Sequence, residues 1–217
     1  MTEQIKRSIK NIPVRDTLFG DMPLDYWAAV SNNDAPWTLF KKAKSFYDDG
    51  EDNDTADVLR EVISLPNLES RQYLQAYYFL KQLCSIKESS MQVLGIVAEV
   101  AMEGGTDLLA VYADCSARYY NYSGAAVIWE TRTAAMDSKI ENILSLGEDI
   151  VKNIGPWKYE RPEAPKPGFA RLNFLTPAGL HFGEAQQAVL FRDPMAGKIM
   201  YAMMDMMETL INLSEKK

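Results

Sequence analysis

The stretch that decides the fold is residues 107–130, DLLAVYADCSARYYNYSGAAVIWE. It holds three short runs of aromatic and β-branched side chains, and turns separate them at Asp114-Cys115 and at Tyr122-Ser123-Gly124. Side chains of these types fit a pleated, half-buried surface. Tight turns between short strands make the neighbours antiparallel. The segment therefore predicts a three-stranded meander. Its strands are expected over 107–113, 116–121 and 125–130.

Further along the chain the pattern predicts a hairpin over 169–184. In the register that pairs Leu175 with Leu180, Arg171 lies opposite Glu184, which is a favourable cross-strand pair of opposite charges. Two sheet elements with tight turns indicate one antiparallel sheet, and helices before and after them are expected to cover one of its faces.

Helical spacing of apolar residues predicts a helix on each side of the hairpin, over 133–153 and from Asp193-Pro194 to about Leu213. Residues 155–168 hold four of the ten prolines and are expected to form an extended connection. The stretch 91–102 is apolar on nearly every side, which predicts a central helix.

The front of the chain predicts antiparallel helices. One begins at Asp34-Pro36 and ends at Gly50, one runs from Asp54 or Thr55 to Pro66, and one covers about 69–86. We therefore expect an α+β protein, with a helical subdomain at 1–88 and an α+β domain at 89–217.

The helical front resembles tetratricopeptide-type hairpins over residues 35–86. The resemblance rests on a small residue, an aromatic, a turn, a second small residue and a terminator near the positions that this repeat uses. These are Ala43, Tyr47, Gly50, Ala56 and Pro66. No second copy follows at the repeat's period, and the resemblance implies at most a peptide-binding type of scaffold.

Charge and composition exclude several classes of protein. The chain has 217 residues, 23 of them basic and 30 acidic, for a net charge of -7. That balance argues against a dedicated nucleic-acid binder, whose affinity depends on neutralising phosphates. The two cysteines, Cys84 and Cys115, form no CxxC pair, so we expect small buried thiols in a reducing compartment. The apolar stretch 91–102 is too short to span a bilayer. The protein is predicted to be cytoplasmic and not membrane-bound.

Cofactor and metal motifs are not apparent, so neither a cofactor nor a metal is predicted. Glycine-rich nucleotide loops are absent, and the acidic run 48–57 fails the spacing of a calcium loop in both registers. His181 is the only histidine. It lies between glycines on a predicted strand, where a ligand is expected to approach it, with Tyr120 and Arg118 as further candidates on the open face of the sheet. Cys115, at a turn near Arg118, is a weaker candidate for a reactive thiol.

The last helix holds six of the eleven methionines, and most of them fall on a core-facing stripe. Tyr201 and Met204 fall off that stripe, next to Asp205 and Glu208. These four residues are the candidate interface for self-association or for a protein partner, because methionine-rich surfaces adapt to partners.

Two functions are open on the sequence. The first is a non-enzymatic module that binds another protein. The alternative is a small-ligand sensor or an enzyme, with its site on the open sheet face near His181.

Overall fold

The computed structural model describes residues 13–83 and 90–215. The chain divides between Ser89 and Ser90 into two compact units, which we describe one at a time.

The described part of the first unit is helical, as predicted. A 3-10 helix at Val14–Leu18 precedes α1 (Leu24–Ala28), α2 (Trp37–Asp48), α3 (Asp52–Ser64) and α4 (Ser70–Leu83). Consecutive helices from α1 to α4 pack on one another. They bury one apolar core, to which Trp27, Phe40, Leu59, Val62 and Leu80 contribute. Helix α3 starts at Asp52, slightly before the predicted residue. Residues 84–86 of the third predicted helix, and with them Cys84, lie outside the described residues.

The second unit is a six-stranded antiparallel sheet with helices. Its strands are β1 (Gly95–Met102), β2 (Gly105–Tyr112), β3 (Ala117–Tyr120), β4 (Ala126–Trp129), β5 (Phe169–Thr176) and β6 (Gly179–Gln186). Its helices are α5 (Ala134–Val151), α6 (Gln187–Arg192) and α7 (Ala196–Ser214). The strand order is β4-β3-β2-β1-β5-β6. The predicted α+β class, the meander and the hairpin are therefore confirmed.

The hairpin also has the predicted register. Leu175 pairs with Leu180, and Arg171 pairs with Glu184. Helix α7 also begins close to its predicted start, and the Asp193 carboxylate accepts hydrogen bonds from the backbone N–H groups of Met195 and Ala196. Helix α6 was not predicted.

The prediction of a helix over 91–102 is wrong, since Gly95–Met102 forms strand β1. This strand is central and pairs with β2 on one side and with β5 on the other. A strand covered on both faces is apolar on both faces, so its periodicity does not distinguish it from a buried helix. The Gly104-Gly105 pair, which had been expected to end that helix, lies elsewhere in the fold. It belongs to the β1–β2 hairpin, where Gly105 has φ 148°, a conformation open mainly to glycine.

One face of the sheet, the helix-covered face, packs against α5 and α7. Ile96, Leu109 and Phe174 on the sheet join Ile140 on α5 and Met206 on α7 in one buried core. The proline-rich segment 155–168 approaches the opposite face. There the ring of Trp157 contacts that of Phe182 on β6, and an Arg171 N–H donates to the Glu163 carbonyl over 2.8 Å.

Candidate functional site

A cavity of about 320 Å³ lies between the helix-covered face and helices α6 and α7. The sheet and the helices contribute comparable shares of its wall. Ala98, Val100, Met102, Asp107, Leu109 and Tyr119 line it from the strands, and Gln187, Phe191, Met200, Met203, Met204 and Met207 from the helices.

The helical wall follows from the spacing of the methionines. Met200, Met203, Met204 and Met207 lie three or four residues apart, which places them on neighbouring turns of one side of α7. Met200 and Met203 are buried, whereas Met204 is 42% exposed. The same row of side chains therefore runs from the core to the surface, and Met204 lies at the exposed end of this part of the wall.

The polar part of the wall is a pair of side chains on adjacent strands. The Tyr119 hydroxyl donates a hydrogen bond to Asp107 Oδ2 over 2.9 Å. The other carboxylate oxygen, Oδ1, accepts one from the backbone N–H of Tyr122, also over 2.9 Å. Burial, followed by the hydrogen bond to Asp107 and the negative charge of that residue, raises the pKa of Tyr119 to about 12. Tyr119 is therefore a neutral donor that holds the carboxylate in place.

Gln187 fixes the position of α6 relative to the sheet. Its side-chain amide donates to the carbonyl of Ala101 over 2.8 Å, and its backbone N–H donates to the carbonyl of Gly168 over 3.0 Å. Phe191, one turn later, lines the cavity and contacts the ring of Tyr201 edge to face. The first turn of α6 is thus held against the sheet by hydrogen bonds, and its second turn is held against α7 by aromatic contact.

The structure does not bring the predicted ligand-site residues together. His181 is fully buried on the helix-covered face, where its ring lies 3.0 Å from the Ile154 carbonyl and 3.3 Å from the Thr176 hydroxyl. Arg118 and Tyr120 lie on β3 and point to the opposite face. Four strand spacings separate β3 from β6, or about 19 Å. The sequence predicted that a ligand can approach His181. In the structure, the histidine side chain is instead enclosed inside the α+β unit.

Arg118 has a partner of opposite charge directly after the neighbouring strand β4. Its guanidinium donates to the Glu130 carboxylate over 3.0 Å. The ion pair lies on the opposite face of the sheet, away from the cavity.

Of the predicted interface residues, Met204 lines the cavity and Tyr201 is 62% exposed beside Phe191. Asp205 forms an ion pair with Lys139 on α5, and Glu208 is exposed. The helix thus has an outer side that is part apolar and part charged.

Cys115 does not have the surroundings of a reactive thiol. The residue is buried in the turn after β2, and burial raises the pKa of its thiol while Arg132 opposes that shift only in part. A thiol with a raised pKa carries little of the nucleophilic thiolate at neutral pH.

A second group of buried polar side chains lies on the opposite face. Arg171 donates to Glu184 on β6 and, over 3.3 Å, to Glu99 on β1. Asn173 donates to Glu99 over 3.0 Å. Because these contacts join three strands and the proline-rich segment, we assign them to the stability of the sheet. Within 13–83 and 90–215, no cluster of three or more potential ligand side chains suits a metal ion.

The sequence did not predict that the lining residues surround a cavity, although it singled out Met204 as a candidate interface residue. Alternation along β2 places Asp107 and Leu109 on one face, and helical spacing aligns the methionines of α7. Neither pattern reveals that space remains between them, because that depends on how the two elements pack.

No helix in the described ranges is both long enough and apolar enough to cross a membrane. No family model, curated protein or solved structure matches this chain.

Proposed function

We propose that the α+β unit is a non-catalytic binding module that takes a small molecule with an apolar body into the methionine-lined cavity. The observation that carries this proposal is the cavity itself, with its volume of about 320 Å³ and its largely apolar wall. Ligand pockets in proteins span about 300–1,000 Å³ and are mostly apolar, with a few polar groups. An engineered apolar cavity of about 150 Å³ is already large enough to bind benzene.

The methionines support a binding role. Their side chains are flexible and polarizable, so they adjust to the shape of a ligand at small cost. A catalytic role has less support, because Tyr119 keeps its proton at neutral pH and its hydroxyl is held by Asp107.

The test is the binding of 1-octanol, a neutral probe with an apolar body, measured by ligand-detected NMR and by the rise in melting temperature. A ligand that binds only the folded state stabilises it by about 2.7 kcal/mol at a hundred times its dissociation constant. We expect saturable binding to the wild-type protein.

Ala98→Leu fills the cavity from β1, and we expect it to weaken octanol binding at least tenfold. Ala126→Leu, the same substitution at an exposed position on β4, is the matched control and should bind normally. Octanol binding that is absent from the wild type, or equal in both variants, would contradict the proposal.

The exposed apolar side of α7 favours a second candidate function, the binding of an apolar surface of a partner protein. Tyr201 and Met204 are exposed there, at 62% and 42%. The first partner to test is a second copy of this chain. Sedimentation velocity of the wild type and of Met204→Glu should show association that the charge weakens. If the wild type and Met204→Glu both sediment as monomers, self-association is contradicted.

The cytoplasm remains the proposed location, because two separate cysteines fit a reducing compartment.

A further inference from the structure

We propose that the ligand of this cavity is an organic cation, an apolar body with a protonated amine at one end. This inference rests on the proposed function and names its ligand class. The observation behind it is the charge at the polar part of the wall. Among the described residues that line the cavity, Asp107 is the one that carries a charge.

The Asp107 carboxylate has room for a further donor. A carboxylate offers about four acceptor positions on its two oxygens, and two of them are used, by Tyr119 and by the backbone of Tyr122. In the described part of the chain, no lysine or arginine lies within ion-pair distance of Asp107. The negative charge is thus held in place by neutral donors, and no cationic side chain of residues 13–83 or 90–215 balances it.

The hydrogen bond from Tyr119 orients the carboxylate before a ligand arrives. Because Tyr119 stays neutral, it adds no second negative charge and serves only as a donor. A ligand ammonium would therefore meet a carboxylate that is already ordered, and the hydrogen bond formed would be charge-assisted, which is stronger than one between neutral groups.

The rest of the wall suits the same ligand. Phe191 and Tyr119 offer aromatic rings, whose faces attract cations, and the methionine sulfurs are weak acceptors. A carboxylate ligand such as a fatty acid would bring its charge to Asp107 with no basic side chain among the described lining residues to balance it. A ligand with the same apolar body and a neutral head group would make the apolar contacts but would not form the ion pair with Asp107.

The experiment compares octylamine, 1-octanol and octanoate at pH 7, since these three probes share one apolar chain and differ in head-group charge. We expect octylamine to bind about tenfold more tightly than octanol, the ratio that a charge-assisted hydrogen bond supplies, and octanoate to bind most weakly. Competition between pairs of probes, followed by NMR, gives the ratios directly.

Two variants separate the effect of Asp107 on octylamine binding from the effect of the protein's overall negative charge. Asp107→Asn removes the charge and still offers an oxygen to Tyr119, so we expect octylamine to fall to the affinity of octanol. Asp149→Asn makes the same change at an exposed position on α5 and should keep the tenfold preference.

The outcomes are distinct. If none of the three probes binds, the proposed function fails and the inference fails with it. If octanol binds at least as well as octylamine, or octanoate binds best, the cavity binds ligands but the inference is overturned. A preference for octylamine that survives in Asp107→Asn also overturns it, because the attraction then comes from the net charge. Should Asp107→Asn not fold, the order of the three probes on the wild type decides the question.

Discussion

The Tyr119 hydroxyl on β3 donates a hydrogen bond to the Asp107 carboxylate on β2, and the two oxygens lie 2.9 Å apart. Tyr119 pairs in register with Leu109, so its contact with Asp107 is diagonal, one step along the same face of the sheet. The diagonal reach brings a hydroxyl and a carboxylate together at the cavity wall, and it links the titration of Tyr119 to the stability of the fold.

Removing the Tyr119 hydroxyl should change stability at alkaline pH. The folded-state pKa is raised from 10.0 to about 12, so folding favours the protonated phenol. The resulting stabilisation is complete below pH 10 and is lost as the pH rises through 12. We expect the wild type to be more stable than Tyr119→Phe at pH 9, and the difference to shrink towards pH 12. Urea unfolding at each pH measures it.

Tyr159→Phe, at a tyrosine that is 77% exposed, is the control and should follow the wild type. A Tyr119→Phe curve that runs parallel to the wild type across this range would show that the phenol does not titrate as described.

Arg171→Met should destabilise the α+β unit. Arg171 is 4% exposed and lies between the carboxylates of Glu99 and Glu184. Removing one partner of a buried ion pair leaves charge uncompensated and costs about 3–5 kcal/mol. Arg192→Met, at an exposed position at the end of α6, is expected to change the free energy of unfolding by less than about 0.5 kcal/mol. Denaturant unfolding of both variants compares them.

Arg171→Met should also loosen the proline-rich segment, because an Arg171 N–H donates a hydrogen bond to the Glu163 carbonyl. We expect trypsin to cleave after Lys158 faster in Arg171→Met than in Arg192→Met. Equal cleavage rates would show that this hydrogen bond does not hold the segment.

Gly147→Ala should destabilise the protein even though alanine favours helices. At an exposed helical position this change gains about 1 kcal/mol. At Gly147, however, a Cβ would lie 2.5 Å from Ile96 Cδ1 and 3.1 Å from Phe174 Cδ1. Either these buried side chains or helix α5 would have to shift, and such overpacking costs about 1–3 kcal/mol. Ser145→Ala, on the exposed side of α5, should be neutral or stabilising by thermal unfolding. A Gly147→Ala protein as stable as the wild type would show that the contact between α5 and the sheet accommodates a methyl group without cost.

The Cys115 thiol should react slowly with a disulfide reagent such as DTNB. Its burial and raised pKa lower both access and thiolate content. In a Cys84→Ser background, so that one thiol remains, we expect a rate at least tenfold below that of the same protein unfolded in urea. A comparable rate in both states would indicate that the turn opens readily.

Local patterns of the sequence determined most of the secondary structure and the register of one hairpin, that of β5 with β6. The runs within 107–130 form strands because their aromatic and β-branched side chains favour strands and their turns are short. The pairing of Arg171 with Glu184 follows from the turn position, since a hairpin's register is set by its turn. The helical spacing of apolar residues was sufficient to predict helices α2 to α5 and α7.

Tertiary structure decided what local patterns leave open. Residues 95–102 are apolar on both sides, and only their place between β2 and β5 makes them a strand. His181 looked accessible between glycines, but the helix-covered face buries it. Strand order, in turn, separates it from Arg118.

The cavity belongs to the same class of properties. Asp107 and Met203 are far apart in sequence, and each lies on a face that its own periodicity predicts. Whether space remains between two packed elements depends on side-chain volumes and on the angle and distance at which the elements meet. These are set by all the long-range contacts together, and no local stretch of the chain contains them.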